Sequence, residues 1–172
     1  PTESGDNAFA LRFVDNRRRP PIFEFVPISG SDPKTWTDLY GVFRNRRESE
    51  NLLRELALLY RLCPRRLGLE GGSVVGCSAF HAKRCAGVCA RRESAAEHDA
   101  RLLGGLASAC IKPWPWQGVV AVVERRQDSG REAFHVFDQW CHLGSVTRWE
   151  DVASIGRERR FDLDTWRLLS RW

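Results

Sequence analysis

The 172-residue chain is 42% hydrophobic, enough for one ordinary domain or two small ones to close a core without disulfides. Its apolar runs, such as Val119-Val120-Ala121-Val122-Val123, are far too short to span a bilayer, and no signal-peptide order opens it; the reading is a cytoplasmic protein with no membrane role. The net charge of +5 is concentrated: residues 44–92 hold eleven Lys and Arg against four Asp and Glu, a local +7 that leaves −2 for the rest.

Phe9, Leu11 and Phe13 alternate with Ala10 and Arg12, which predicts a half-buried strand over 8–14. Asp15 to Pro21 read as a polar turn. IFEFVPI is a second short strand, and Pro27 places it at a sheet edge or near its own end. SGSDPKTWTD is a connection rich in turn formers.

Leu52, Leu53, Leu56, Leu59, Tyr60 and Cys63 fall on one face of a helix that Pro64 stops, and Glu50 to Arg54 is an i,i+4 pair of the favourable order. The segment Pro64–Gly76 is glycine-rich and irregular. Ser94 and Glu97 form a capping box for a second helix with Leu102, Leu103, Leu106 and Cys110 inward, ended by Pro113 and Pro115. GVVAVVERR and REAFHVFDQW flank Gln127-Asp128-Ser129-Gly130, a hairpin signal. Glu150–Ile155 reads as a short helix, and Asp164 as the cap of a last one carrying Trp166, Leu168 and Leu169. The expected class is α+β: short N-terminal strands, a two-helix module built around a four-cysteine cluster, and a C-terminal β-hairpin with short helices.

Chemistry concentrates in CSAFHAKRCAGVC. Cys63, Cys77, Cys85 and Cys89 are separated by thirteen, seven and three residues. In a reducing compartment free thiols or metal ligands are expected rather than disulfides. Cysteines are often merely small buried hydrophobes. Against that, residues 68–76 offer too little apolar surface to bury Cys77 by packing. Four thiolates suit a structural zinc or an iron–sulfur cluster; the paired Cys-x2-Cys knuckles usual for zinc are missing, and the wider spacing fits a cluster better. Cys110 and Cys141 sit in apolar contexts and read as core. His81 reads as a solvent or phosphate contact.

Arg44, Arg46, Arg47, Arg65, Arg66, Lys83, Arg84, Arg91 and Arg92 are the candidate phosphate contacts, because the arginine fork matches phosphate bidentately. An arginine-rich genome explains the preference over lysine, though not the clustering. Each arginine taken singly also fits a solvated surface. Trp114 and Trp116 can stack on bases, but in PWPW they read as pins holding a proline-stiffened segment to a core.

LYGVFRNRRESENLLRELALLYRLC, LGLE, KRCAGVCARRES and PWPWQG resemble the region that follows the nuclease core in Cho/UvrC-type excision-repair endonucleases, over roughly residues 8–170. Related modules occur fused to exonucleases of the DNA polymerase III epsilon type. The resemblance implies a [4Fe–4S] cluster on Cys63, Cys77, Cys85 and Cys89, binding to double-stranded, damaged DNA, and a damage-recognition protein as a partner. It also implies a division into 1–43, a strand segment after the core; 44–112, the helical four-cysteine iron–sulfur module; and 113–172, an α+β segment. Family catalysis is metal-assisted phosphodiester hydrolysis by a GIY-YIG domain using a divalent ion such as Mg2+. No GIY or YIG triplet occurs here, so no catalytic residue is assigned, and the nuclease is expected upstream in a longer parent or in a partner chain. The chain opens on Pro1-Thr2-Glu3 and has no methionine, which fits a processed initiator or a fragment. A structural-zinc interaction module without a nuclease role is the second reading. An enzyme with a cysteine nucleophile is the third, and no motif joins a histidine base to a thiol.

Overall fold

The computed structural model describes residues 8–14, 22–72 and 74–171, and these pack as two units. The predicted polar turn at Asp15–Pro21 lies outside the described residues.

Among the described residues, one unit comprises residues 9–14, 22–26, 37–72 and 74–111. Strand β1 (Phe9–Phe13) lies between β2 (Phe23–Pro27) and β3 (Leu39–Phe43). Edge position is what Pro27 requires, since proline has no N–H to give to a ladder. A register shift between Phe9 and Leu11 breaks the expected alternation, so Ala10 and Leu11 are both fully buried. Strand β3 has no clear signal in the sequence, because LYGVF is a short apolar run with a central glycine and no definite period.

Helix α1 (Arg46–Tyr60) starts where Asn45 accepts from the Glu48 N–H. It ends earlier than Pro64 suggests, because Arg61 turns left-handed at φ 53°. Cys63 therefore lies beyond the helix rather than on its face, and the inward positions are Ser49, Leu53, Leu56 and Ala57, with Leu59 75% exposed. A four-residue helix α2 (Ser78–His81) lies within the cysteine loop. Helix α3 (Ala95–Leu106) opens on the predicted capping box, Ser94 and Glu97 each bonding the other's backbone N–H. Helix α3 closes on α1 at Gly105, where a Cβ would lie 2.7 Å from the Tyr60 ring. It ends before Cys110, which instead bridges to Tyr40.

Leu11, Ile22, Phe43, Leu53, Leu56, Leu62, Leu102 and Leu106 form one core. Sheet and helices thus share an interior.

The other unit holds residue 8, residues 27–36 and residues 112–171 among the described residues. The predicted hairpin is present as β4 (Val120–Arg125) and β5 (Glu132–Asp138), extended by β6 (Cys141–Val146) into a three-stranded antiparallel sheet. The β5–β6 turn uses Gln139 and Trp140 at φ 50° and 66°. A two-residue turn with both φ positive normally advertises itself with Asn-Gly, and this one does not. Trp114 packs edge-on against Trp116 and Trp140, with centroids 4.6 and 5.2 Å away, and bonds the Gly118 carbonyl, which agrees with a pinning role. A short 3-10 helix covers Trp149–Ser154, and α4 (Leu163–Leu169) follows. The cap of α4 is Asp162, which accepts from the Thr165 N–H at 2.7 Å, not Asp164. Cys141 is buried, as expected. Among the described residues no helix is long and apolar enough to cross a membrane.

Candidate metal centre and basic surface

The four cysteines of the series converge. Cys63 arrives from the segment after α1, Cys77 is the residue preceding α2, Cys85 follows α2, and Cys89 lies in a 3-10 turn at Val88–Ala90. Their sulfurs all lie within 4.8 Å of one another, Cys63, Cys77 and Cys85 buried and Cys89 half-buried. The loop reaches this arrangement through a left-handed Lys83 (φ 59°), Gly87 (φ 107°) and Arg91 (φ 56°). At Gly87 a Cβ would lie 2.8 Å from Arg92 Cβ and 2.9 Å from Phe80 Cε2, so glycine is required there.

Backbone donors point at the sulfurs. The Cys77 N–H donates to Cys89 Sγ at 3.3 Å, the Gly87 N–H to Cys85 and the Arg66 N–H to Cys63. Burial drives the Cys63 thiol well above its ordinary range, against the Arg66 N–H, and pushes Cys85 up to about 12, against the Gly87 N–H. At Cys89 burial also pushes upward, but hydrogen bonds from the Cys77 backbone and the surrounding thiols outweigh it and lower the pKa. Packed together, four thiols cannot all ionise on their own; a bound cation deprotonates coordinating thiols outright. Convergent sulfurs, burial and backbone N–H donors therefore fit a metal, and the group can hold one. Zinc with arms of about 2.3 Å sets sulfurs about 3.8 Å apart, whereas an iron–sulfide cube spreads them over its corners.

Sequence reasoning missed two residues behind this centre. His98 and Asp99 are buried on α3, where Nε2 of His98 accepts the Cys63 N–H at 3.0 Å and Nδ1 lies 2.8 Å from Asp99 Oδ1. Burial, partly opposed by Asp99, lowers the His98 pKa. Burial raises Asp99, but the hydrogen bonds of Arg66 and His98 prevail and hold it below the ordinary carboxylate value. The available signal was spacing: His98 sits four residues before Leu102 on the apolar face.

The candidate phosphate contacts divide. Arg66 is 8% exposed and clasps Asp99 through Nε at 2.8 Å and Nη2 at 2.5 Å. Its guanidinium is committed to Asp99. Arg65 is half-buried and clamps the glycine-rich loop through the carbonyls of Val74 and Gly76 at 2.6 and 2.9 Å. Arg46 is exposed, pairs with Glu50 at 3.0 Å and lies over the Phe25 ring. Arg44 and Arg47 are exposed at the start of α1.

Lys83, Arg84, Arg91 and Arg92 are exposed, and among the described residues their side chains have no ion pair. Arg91, Arg92 and the edge of Arg66 line an open concavity of about 570 Å³ at the α3 N-terminus. The two carboxylates there are already engaged, Glu97 in the capping box and Glu93 with Arg101 at 2.6 Å. His81 is exposed and packs edge-on against Phe80, apart from the four sulfurs.

The four cysteines of this α+β chain lie close enough together to hold a metal ion. The family model described as the UvrC/Cho excinuclease middle domain matches residues 11–108, and the one described as the excinuclease Cho C-terminal domain matches residues 119–172. The chain belongs to the UvrC/Cho excinuclease family. Excinuclease cho of Salmonella typhi is 35% identical over 136 residues, covering 78% of this chain and 46% of the relative. Excinuclease cho of Shigella flexneri and that of Escherichia coli strain K12 are each 36% identical over 137 residues, covering 78% of this chain and 45% of the relative. The chain thus spans about half the length of the curated relatives it matches. No solved structure matches it.

Proposed function

We propose that this chain is the metal-bearing, DNA-binding portion of a nucleotide-excision-repair endonuclease, acting in the cytoplasm on damaged double-stranded DNA. The observation that carries the reading is the convergence of Cys63, Cys77, Cys85 and Cys89, which fixes the loop bearing Lys83 and Arg84 and sets Arg91 and Arg92 ahead of α3. Exposed cations that have no ion pair among the described residues suit phosphate, and phosphate contacts position a protein without reading sequence. That behaviour fits an enzyme that must act wherever a lesion lies. Phosphodiester cleavage itself, with a divalent ion such as Mg2+, belongs to a nuclease core whose motifs this sequence does not contain. A damage-recognition protein is the proposed loading partner.

For the metal, a [4Fe–4S] cluster is our reading, supported by family membership and by the absence of Cys-x2-Cys knuckles. When bound, the group supplies a cross-link between the segment after α1 and the basic loop. The 4.8 Å limit on the sulfur separations favours a single zinc as the second reading. Duplex binding measured against salt tests the DNA role, and metal and sulfide analysis tests the centre.

A further inference from the structure

Three of the four cysteines belong to one loop, Cys77–Cys89, and are held by its own turns. Cys63 comes from a different segment and is fully buried. It follows the left-handed residue that ends α1, so its N–H lies beyond the helical ladder, and the acceptor it finds is His98 Nε2, 35 positions along the chain. A backbone N–H can only donate. Nε2 is therefore the unprotonated nitrogen, and the hydrogen of a neutral imidazole lies on Nδ1, facing Asp99 Oδ1 at 2.8 Å.

Asp99 is clasped by both nitrogens of the Arg66 fork. The Arg66 backbone N–H in turn donates to the Cys63 sulfur. The result is a closed ring running from the Cys63 N–H through His98, Asp99 and Arg66 back to Cys63 Sγ. Its residues are buried; Asp99 Oδ1 is shared by His98 Nδ1 and Arg66 Nε, whereas the Cys63 N–H has His98 Nε2 as its acceptor, so removing the imidazole leaves that N–H unpaired.

We propose that His98 is a positioning residue for Cys63, acting through this ring to aim Sγ at the metal and to slow the metal's loss. The proposal rests on the reading of the four cysteines as a metal centre. It separates from a packing role because an apolar side chain of similar shape would fill the same space yet strand the Cys63 N–H. Partners that orient a metal ligand in this way typically contribute roughly 10–100-fold in metal affinity.

The test uses the full chain loaded with Co2+, whose visible bands report the geometry of its sulfur ligands, and follows release to a chelator. His98→Leu is expected to shift the bands and to speed release roughly 10–100-fold. His98→Gln, whose Oε1 restores an acceptor for the Cys63 N–H, is expected to recover much of both. Leu102→Ala, a core truncation on the same helix that leaves the ring intact, is expected to lower stability without moving the bands. If His98→Leu does not fold, His98→Asn takes its place, being polar but too short to reach Cys63. Release at the wild-type rate with unshifted bands in the Leu or Asn variant overturns the proposal, as does an equal band shift in Leu102→Ala. A wild-type chain that takes no Co2+ on its thiols overturns the metal reading itself, which is a distinct result.

Discussion

The backbone N–H of Cys77 donates to the sulfur of Cys89 at 3.3 Å, and this bond joins the two ends of the loop that carries Lys83 and Arg84. With the N–H of Gly87 on Cys85 and that of Arg66 on Cys63, three of the four sulfurs accept from the main chain. Such donors favour thiolate over thiol and are built into the path of the backbone. The same path sets Lys83 and Arg91 at positive φ, so the turns that aim the sulfurs are the turns that carry the exposed cations.

If that coupling serves DNA, affinity for a duplex depends weakly on sequence and falls steeply with salt, because each neutralised phosphate releases counterions. Replacing Lys83, Arg84, Arg91 and Arg92 together is expected to flatten the slope of log K against log salt by roughly three to four, a little under one per contact. Removing the Cys89 thiol is expected to weaken binding as well, by disordering the loop. An unchanged slope in the quadruple variant would return these charges to the role of a solvated face.

Cleavage is a separate matter. The sequence holds no GIY or YIG triplet, and the expected result for this chain alone is no Mg2+-dependent nicking of duplex DNA. Nicking activity that follows the chain through several chromatographic steps would refute the placement of the nuclease outside it.

The Arg66–Asp99 pair carries a stability prediction. Arg66→Ala leaves a carboxylate that is 7% exposed without its guanidinium, and breaking a buried pair from one side costs about 3–5 kcal/mol. Denaturant unfolding at neutral pH measures it. Because the folded pKa of Asp99 is lowered, its contribution is fully present above the unfolded value of about 3.9 and is lost as pH falls through the folded value. The variant is therefore expected to lose most relative to wild type at neutral pH, with the gap narrowing in acid. A constant gap from pH 7 to pH 2 would contradict the assignment.

What the sequence made legible, and what it hid, follows from the range of the interactions. The capping box at Ser94 and Glu97, the Glu50–Arg54 pair and the 127–130 hairpin are local, and each appears where its pattern lies. Cys63, Cys77, Cys85 and Cys89 stand out by spacing and meet in space. Arg65 and Arg66, by contrast, carry the same chemistry as Arg91 and Arg92, and only partners as distant as Asp99, 33 positions away, tell inside from outside. His98 was hidden for the same reason, since its partner Cys63 is remote in sequence. Strand β6 went unseen because Gln139 and Trp140 turn the chain without the usual glycine.

The most direct test of the central claim is analysis of iron, acid-labile sulfide and zinc in anaerobically purified chain, with its visible spectrum, for wild type, Cys85→Ser and Cys141→Ser. The account predicts a brown protein with about four irons and as many sulfides per chain, lost in Cys85→Ser and kept in Cys141→Ser. About one zinc with the same cysteine dependence would keep the four-thiolate centre and replace the cluster. Full metal content in Cys85→Ser, or no metal in wild type, would contradict the claim that these four cysteines form a metal centre.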